Sequence, residues 1–127
     1  MNTVPKGLRS WFVVHFAADY LAALPLMIHP QQFFAMLGWQ SVDAVAARII
    51  AAAFMAIGGT SFLLRNASLE VYRALLLLKI IWSSMALVAI LLATRGAMSW
   101  GEGLVFAIFI LFDSVWSYYY YKTRPRQ

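Results

Sequence analysis

Residues 74–94 read ALLLLKIIWSSMALVAILLAT, an apolar stretch in which Lys79 is the one charged side chain. A run of this length and composition is typical of a helix that crosses the hydrocarbon core of a bilayer. Three further apolar stretches accompany it, and the chain as a whole is 63% hydrophobic and 12% charged. A soluble domain carries about twice that share of charge. The sequence therefore predicts an all-α protein with a bundle of four transmembrane helices.

The predicted helices together form a single integral membrane domain over residues 1–127. The predicted spans cover residues 8–28, 43–64, 69–94 and 101–121. Capping residues support the starts of the later spans, because a side-chain oxygen there can accept a backbone N–H. Ser41 or Asp43 can cap the second span and Ser68 the third. Ser99 and Glu102 have the spacing of a capping box before the fourth.

Between the first two spans lies a short aromatic segment, residues 30–40, which reads PQQFFAMLGWQ. It is too short to cross a bilayer. Its composition predicts a short helix that lies in the membrane interface and ends at Gly38. A loop folded back over the bundle is the alternative.

The second span is rich in small residues. The pairs Ala47/Ala51 and Ala52/Ala56 are each spaced by one helical turn. In lipid, such spacing lets a neighbouring backbone approach closely and so stabilises helix packing. We expect the second span to be the central helix of the bundle, although the same residues would also suit a homodimer contact.

Ionisable side chains inside the predicted spans give the principal functional clue, because such a group is costly in hydrocarbon unless it is paired or faces water. Asp19, Lys79 and Asp113 are three of them, and His15 lies one turn from Asp19 on the same helix face. We expect these groups to converge in the inner half of the bundle. The predicted cluster contains His15, Asp19, Lys79, Trp82, Asp113 and Trp116.

A second predicted contact lies near the outer ends of the second and fourth spans, where Arg48 and Glu102 could form an ion pair. On a purely structural interpretation, this pair and a bridge from Lys79 to Asp113 or Asp19 fix the register of the helices. Lys79 could also extend its long stem toward the inner interface.

On a functional interpretation, two carboxylates and one lysine leave an excess negative charge within the membrane. This charge would suit a cation, a proton relay or an amine ligand. Aromatic rings can stabilise a bound cation, and Phe16, Tyr20, Trp82 and Trp116 are the candidates. His15 is either a satisfied core histidine or a member of the relay.

The distribution of lysine and arginine predicts the topology, since cytoplasmic loops carry an excess of these residues. We expect a multi-pass protein of a bacterial inner membrane with both termini in the cytoplasm. The basic residues assigned to the cytoplasmic side are Lys6, Arg9, Arg65, Arg73, Lys122, Arg124 and Arg126. Arg48 and Arg95 lie toward the other side.

The sequence contains no recognisable catalytic motif of the metalloprotease, P-loop, dinucleotide or serine-hydrolase kind. It also has no cysteine and only two histidines, so we predict no catalytic residue, no metal site and no cofactor. Nothing calls for an enzyme, and no basic face suggests nucleic acid. The expected partners are the lipid bilayer and either a second copy of the chain or a larger membrane complex.

Two features resemble the small four-helix bacterial membrane proteins of the DoxX-like kind. One is the pattern P-x-x-F-x-x-x-L-G at Pro30–Gly38 after the first span, and the other is Arg48 at the start of a small-residue helix. The resemblance implies a four-helix membrane fold and implies no catalytic residue.

Two classes of function follow from these patterns. The protein either transports or binds a small cationic or amphipathic ligand within the bundle, or it is a non-catalytic accessory subunit that packs on a larger membrane complex.

Overall fold

The computed structural model describes residues 3–125, and within this range the chain is helical with no strand. This confirms the predicted all-α class. The helices are α1 (Lys6–Ile28), α2 (Pro30–Met36), α3 (Ala44–Leu63), α4 (Leu69–Thr94) and α5 (Trp100–Lys122). Arg126, which contributes to the predicted topology, lies outside the described residues.

Four of the helices, α1, α3, α4 and α5, are long and apolar enough to cross a membrane. Much of their apolar surface faces outward, as in Leu63 of α3, which is 76% exposed, and Leu92 of α4, which is 74% exposed. A water-soluble helix would place polar side chains at such positions. The chain therefore has the architecture of a multi-pass membrane protein.

The segment between the first two long helices forms a short helix, α2, which confirms the predicted helix over the alternative loop. It ends at Met36, and Gly38 follows with φ +85°, a left-handed conformation that glycine adopts without strain. The N–H of Gly38 donates to the Ala35 carbonyl, and the N–H of Trp39 donates to the Phe34 carbonyl. The rings of Phe34 and Trp39 meet edge to face at 4.7 Å. These bonds and this apolar contact form a Schellman motif, which is why the helix stops here. Its place in the membrane interface stays a prediction.

Residues 4–67 form one compact unit, in which α1 packs antiparallel to α3. Its core contains Ala23 and Leu26 of α1 and Ala47 and Ala51 of α3, all buried. The alanine side chains bring the two backbones close, as predicted for this pair.

The second alanine pair of α3 does not contribute to the core of this unit, and its contact with a neighbouring backbone stays a prediction. Ala52 and Ala56 are both exposed. They lie on a different face of the helix from Ala47 and Ala51, although both pairs have the same spacing. Whether α3 is the central helix of the protein stays a prediction.

A second compact unit contains α4 and α5, which also run antiparallel. Arg73, near the start of α4, donates to the Tyr120 carbonyl and to the Thr123 hydroxyl at the end of α5, each at 3.3 Å. Ser83, farther along α4, reaches Asp113, which precedes Tyr120 in α5. The division into two units leaves the single domain over residues 1–127 as a prediction.

The starts of the long helices show which predicted caps form. Asp43 accepts a hydrogen bond from the N–H of Ala46 at 2.8 Å. Ser99 and Glu102 form the complete capping box, with the Ser99 N–H donating to Glu102 at 2.7 Å. Ser68 occupies the capping position of α4, but its side chain makes no capping hydrogen bond.

This contrast allows a matched test of the caps. We expect Ser99→Ala to lower the free energy of unfolding by roughly 0.5–2 kcal/mol, because one backbone N–H of α5 loses its acceptor. Ser68→Ala should cost clearly less, since no side-chain bond is lost there. Reversible unfolding in mixed detergent micelles measures both values. Equal losses of unfolding free energy for the two variants would contradict the assignment of Ser99, and not Ser68, as a side-chain cap.

Candidate functional site

His15 and Asp19 lie next to each other on α1, one turn apart as their spacing predicts. Nδ1 of His15 is 3.0 Å from Oδ2 of Asp19. Both residues are buried, with exposed fractions of 7% and 9%. Asp19 lies in the interior of a 23-residue apolar helix, so a titratable pair occupies a part of the chain that is suited to the membrane interior.

The contact between His15 and Asp19 is close but poorly aligned. Among the described residues, no donor reaches Oδ2 of Asp19 with hydrogen-bond geometry, although Nδ1 of His15 is at ion-pair distance. A misaligned contact gains little from hydrogen bonding. Its attraction is therefore mainly Coulombic and depends on the charges of the two groups.

Gly58 of α3 faces Asp19 across the helix pair. A Cβ atom placed on Gly58 would lie 2.8 Å from both Cβ and Oδ2 of Asp19. Real Cβ atoms do not approach so closely, so the absence of a side chain is what allows α3 to pack against the carboxylate. This role was not predicted from the sequence, although the Gly58–Gly59 pair within α3 is a signal that could have suggested it.

Aromatic residues lie beside the pair on α1. The rings of Phe16 and Tyr20 are 4.6 Å apart, and Phe16 also stacks on Phe62 of α3 at 4.6 Å. The Tyr20 hydroxyl donates to the Met55 carbonyl at 3.3 Å. These contacts fix two of the four rings that the sequence suggested as walls for a cation.

A second polar cluster joins α4 and α5 around Asp113. The Ser83 hydroxyl lies 2.5 Å from Oδ1 of Asp113, and the Ser84 hydroxyl lies 3.3 Å from the same oxygen. The Ser83 oxygen is also 2.7 Å from the Lys79 carbonyl oxygen. Because a hydroxyl has a single hydrogen, Ser83 donates to only one of these two acceptors at a time.

Lys79 of α4 is only 2% exposed, and its ammonium lies 5.0 Å from the ring centroid of Trp116. Trp116 is also buried, and it stacks on Phe112 at 5.7 Å. The burial of Lys79 argues against the alternative in which its stem only carries the charge to the interface. The ring of Trp116 instead offers the ammonium a cation–π contact. Trp82, one turn from Lys79, is half-buried.

Arg48 and Glu102, the predicted outer ion pair, each have a contact within their own unit. Nε of Arg48 donates to the Met27 carbonyl of α1 at 3.1 Å. Glu102 accepts the Ser99 N–H in the capping box of α5. A bond between Arg48 and Glu102 stays a prediction.

The six residues of the predicted cluster thus divide between the two units. His15 and Asp19 lie together in the α1–α3 unit, and Lys79, Asp113 and Trp116 lie in the α4–α5 unit with Trp82 nearby on α4. The convergence of the two groups stays a prediction. Within residues 3–125, no three acidic or histidine side chains are arranged to hold a metal ion.

Comparison of the chain with known protein families, with curated proteins and with solved structures found no match. The resemblance to DoxX-like proteins therefore stays a prediction, and the geometry above is the basis for a functional proposal.

The contact between Gly58 and Asp19 can be tested by adding one methyl group. We expect Gly58→Ala to destabilise the protein by roughly 1–3 kcal/mol, as overpacking does, because the clash is with Cβ of Asp19 as well as with its carboxylate. Unfolding in mixed micelles measures the change. Gly103→Ala is the control, since a Cβ there meets nothing within 4 Å, and it should be neutral or stabilising. A stable Gly58→Ala protein would contradict the close approach.

The buried ammonium of Lys79 gives a second test. We expect Lys79→Ala to impair folding or activity much more than Lys79→Arg, because an arginine retains the charge over Trp116 whereas alanine also leaves a cavity. Yield of monodisperse protein and thermal stability in detergent measure the effect. Lys122→Ala, at an exposed lysine that contacts Tyr118, is the control. If both Lys79 variants behave like the wild type, Lys79 has no buried partner that matters.

Proposed function

We propose that this chain is a multi-pass protein of a bacterial inner membrane, with both termini in the cytoplasm, that binds or transports a small cationic or amphipathic ligand. The ligand's positive charge would be recognised by Asp19. The orientation rests on the excess of lysine and arginine near the ends assigned to the cytoplasm.

The proposal rests on the burial of the Asp19 carboxylate and on its lack of a well-aligned hydrogen-bond donor. Its Oδ2 atom is buried on an apolar helix, and among the described residues only His15 is at ion-pair distance, without good alignment. A carboxylate kept only for stability would be expected to have aligned donors, because a buried polar group that lacks them is costly. A buried carboxylate without aligned donors is better explained by a ligand that binds to it and dissociates again.

The surroundings of Asp19 suit an organic cation. Phe16 and Tyr20 lie on the same helix and adjoin each other, and aromatic faces attract ammonium and related cations. Within the α1–α3 unit, Gly58 lies against the Asp19 carboxylate and has no side chain that would compete with a ligand for it. A ligand with a positive charge and apolar substituents would match both the carboxylate and the rings.

Binding of tetraphenylphosphonium, a lipophilic cation, to the purified protein in detergent tests the proposal. We expect Asp19→Asn to raise the Kd at least roughly tenfold. The Coulombic attraction between unit charges roughly 6 Å apart is about 3 kcal/mol at an effective dielectric constant of about 20, and the asparagine variant loses it. Glu70→Gln is the control, because it removes one negative charge at an exposed position in the first turn of α4. Isothermal titration calorimetry gives the Kd values.

Asp113→Asn, measured in the same way, reports whether the second carboxylate contributes. Its hydroxyl partners, Ser83 and Ser84, already supply hydrogen bonds, so we expect a smaller loss than for Asp19→Asn. Binding that is the same in the wild type and in Asp19→Asn would contradict the proposal.

A second candidate function is that of a non-catalytic accessory subunit of a larger membrane complex. The exposed pair Ala52 and Ala56 on α3 favours it, because small residues one turn apart suit close packing against another membrane helix. Purification from native membranes without crosslinker distinguishes the two. A stoichiometric partner protein together with no cation binding would favour the accessory subunit.

A further inference from the structure

The Asp19 carboxylate has few candidates for a charge partner within the α1–α3 unit. An ionised carboxylate in an apolar region needs a positive charge close by. Within its unit, the described cations are Lys6, Arg9, Arg48 and Arg65. Taking 1.5 Å per residue along antiparallel helices, each lies roughly 10 Å or more from the level of Asp19.

The two arginines of this unit that are nearest along α3 are also held by other contacts. Arg48 donates to the Met27 carbonyl. Arg65 donates to the Phe62 carbonyl, and its guanidinium lies 4.2 Å from the Phe62 ring centroid. Helix α2, which also packs against α1, contains no charged residue. His15 is therefore the group of this unit that can place a positive charge beside Asp19.

At a separation of 3.0 Å, a hydrogen must lie on Nδ1 of His15 or on Oδ2 of Asp19. If Nδ1 of His15 and Oδ2 of Asp19 were both unprotonated, two lone pairs would face each other at 3.0 Å. Because the contact is poorly aligned, a neutral imidazole would gain little, whereas an imidazolium would gain the full Coulombic attraction. The alternative arrangement, a protonated carboxyl beside a neutral imidazole, contains the same number of protons.

We propose that His15 and Asp19 form a proton-binding site, and that a cation binding to Asp19 displaces this proton. The second part rests on the proposed function. In the ligand-free state, imidazolium and carboxylate have a net charge of zero. When the ligand cation binds, it neutralises the carboxylate, the imidazole becomes neutral, and one H⁺ leaves, so the total charge is unchanged.

The limited space around the carboxylate, as well as its charge, favours exchange of the proton for the ligand cation over binding of both at once. Oδ2 of Asp19 is completely buried, with Gly58 against it on the α3 side and the His15 ring at 3.0 Å along α1. On the α1 side, a ligand cation that approaches this oxygen must compete with the imidazole for the same position. Binding of the ligand therefore removes the contact that holds the proton.

The coupling is measured by titrating the protein with tetraphenylphosphonium in two buffers of different ionisation enthalpy. We expect about one proton to be released per bound cation where the free protein carries it, and cation affinity to fall as the pH falls, by up to about tenfold per pH unit. His15→Gln keeps the carboxylate, so it should still bind the cation but release little proton. His29→Gln, at the exposed second histidine, is the control and should behave like the wild type.

Three outcomes separate this inference from the proposed function. Proton release in the wild type and His29→Gln that is lost in His15→Gln, while His15→Gln still binds the cation, supports both. Cation binding without proton release and without pH dependence overturns the exchange and leaves the proposed function intact. An absence of cation binding in the wild type overturns the proposed function and the exchange together.

The proton site itself has a test that needs no ligand. His29→Gln leaves His15 as the one histidine of the sequence, so its ¹⁵N NMR signals in detergent report the protonation of that ring alone. We expect an imidazolium signal that Asp19→Asn removes at the same pH. A ring that stays neutral while the ¹³C signal of the Asp19 carboxyl group shows it ionised, at every pH where the protein is folded, would overturn the site. Circular dichroism and size-exclusion chromatography confirm that each variant is folded.

Discussion

Moving an ionised side chain out of water is among the largest energetic costs that an apolar chain of this kind meets, and the positions of its internal charges follow from that cost. Lipid offers no hydrogen bonds, so each buried polar group depends on an adjacent turn or a neighbouring helix for its partners. Ser83 reaches Asp113 across α4 and α5, whereas His15 reaches Asp19 along α1. The pairing of the helices and the satisfaction of their polar groups are therefore one structural problem.

Close approach of the backbones is the second part of that problem. Burial of apolar surface gives little driving force between helices in lipid, so packing depends on small residues that permit contact. In the α1–α3 unit, Ala47 and Ala51 serve this purpose near one end and Gly58 serves it at the level of Asp19. Gly58 also brings the peptide backbone against the carboxylate, which leaves no room for a competing side chain. The same residue thus influences both stability and the surroundings of the acid.

The helices were largely predictable from the sequence, whereas the contacts of the site were not. The bounds of all four long helices fall within two residues of those expected, because capping residues, glycine and proline act over a few neighbouring positions. His15 and Asp19 were also predictable as neighbours, since one helical turn joins them. The role of Gly58 was not, because it depends on which residue of α3 faces α1. Helix α3 is apolar on every side, so spacing alone could not separate Ala47/Ala51 from Ala52/Ala56.

The two acids illustrate how the partner of a carboxylate determines what it can do. Asp113 meets hydroxyl groups, which can donate hydrogen bonds but do not gain or lose charge near neutral pH. Asp19 meets an imidazole, whose charge changes in that range in its unperturbed form. Hydroxyl partners hold a carboxyl group in one place whatever its protonation state. An imidazole partner instead makes the charge of the pair adjustable, so the number of protons in the pair can respond to any other cation that reaches the same oxygen.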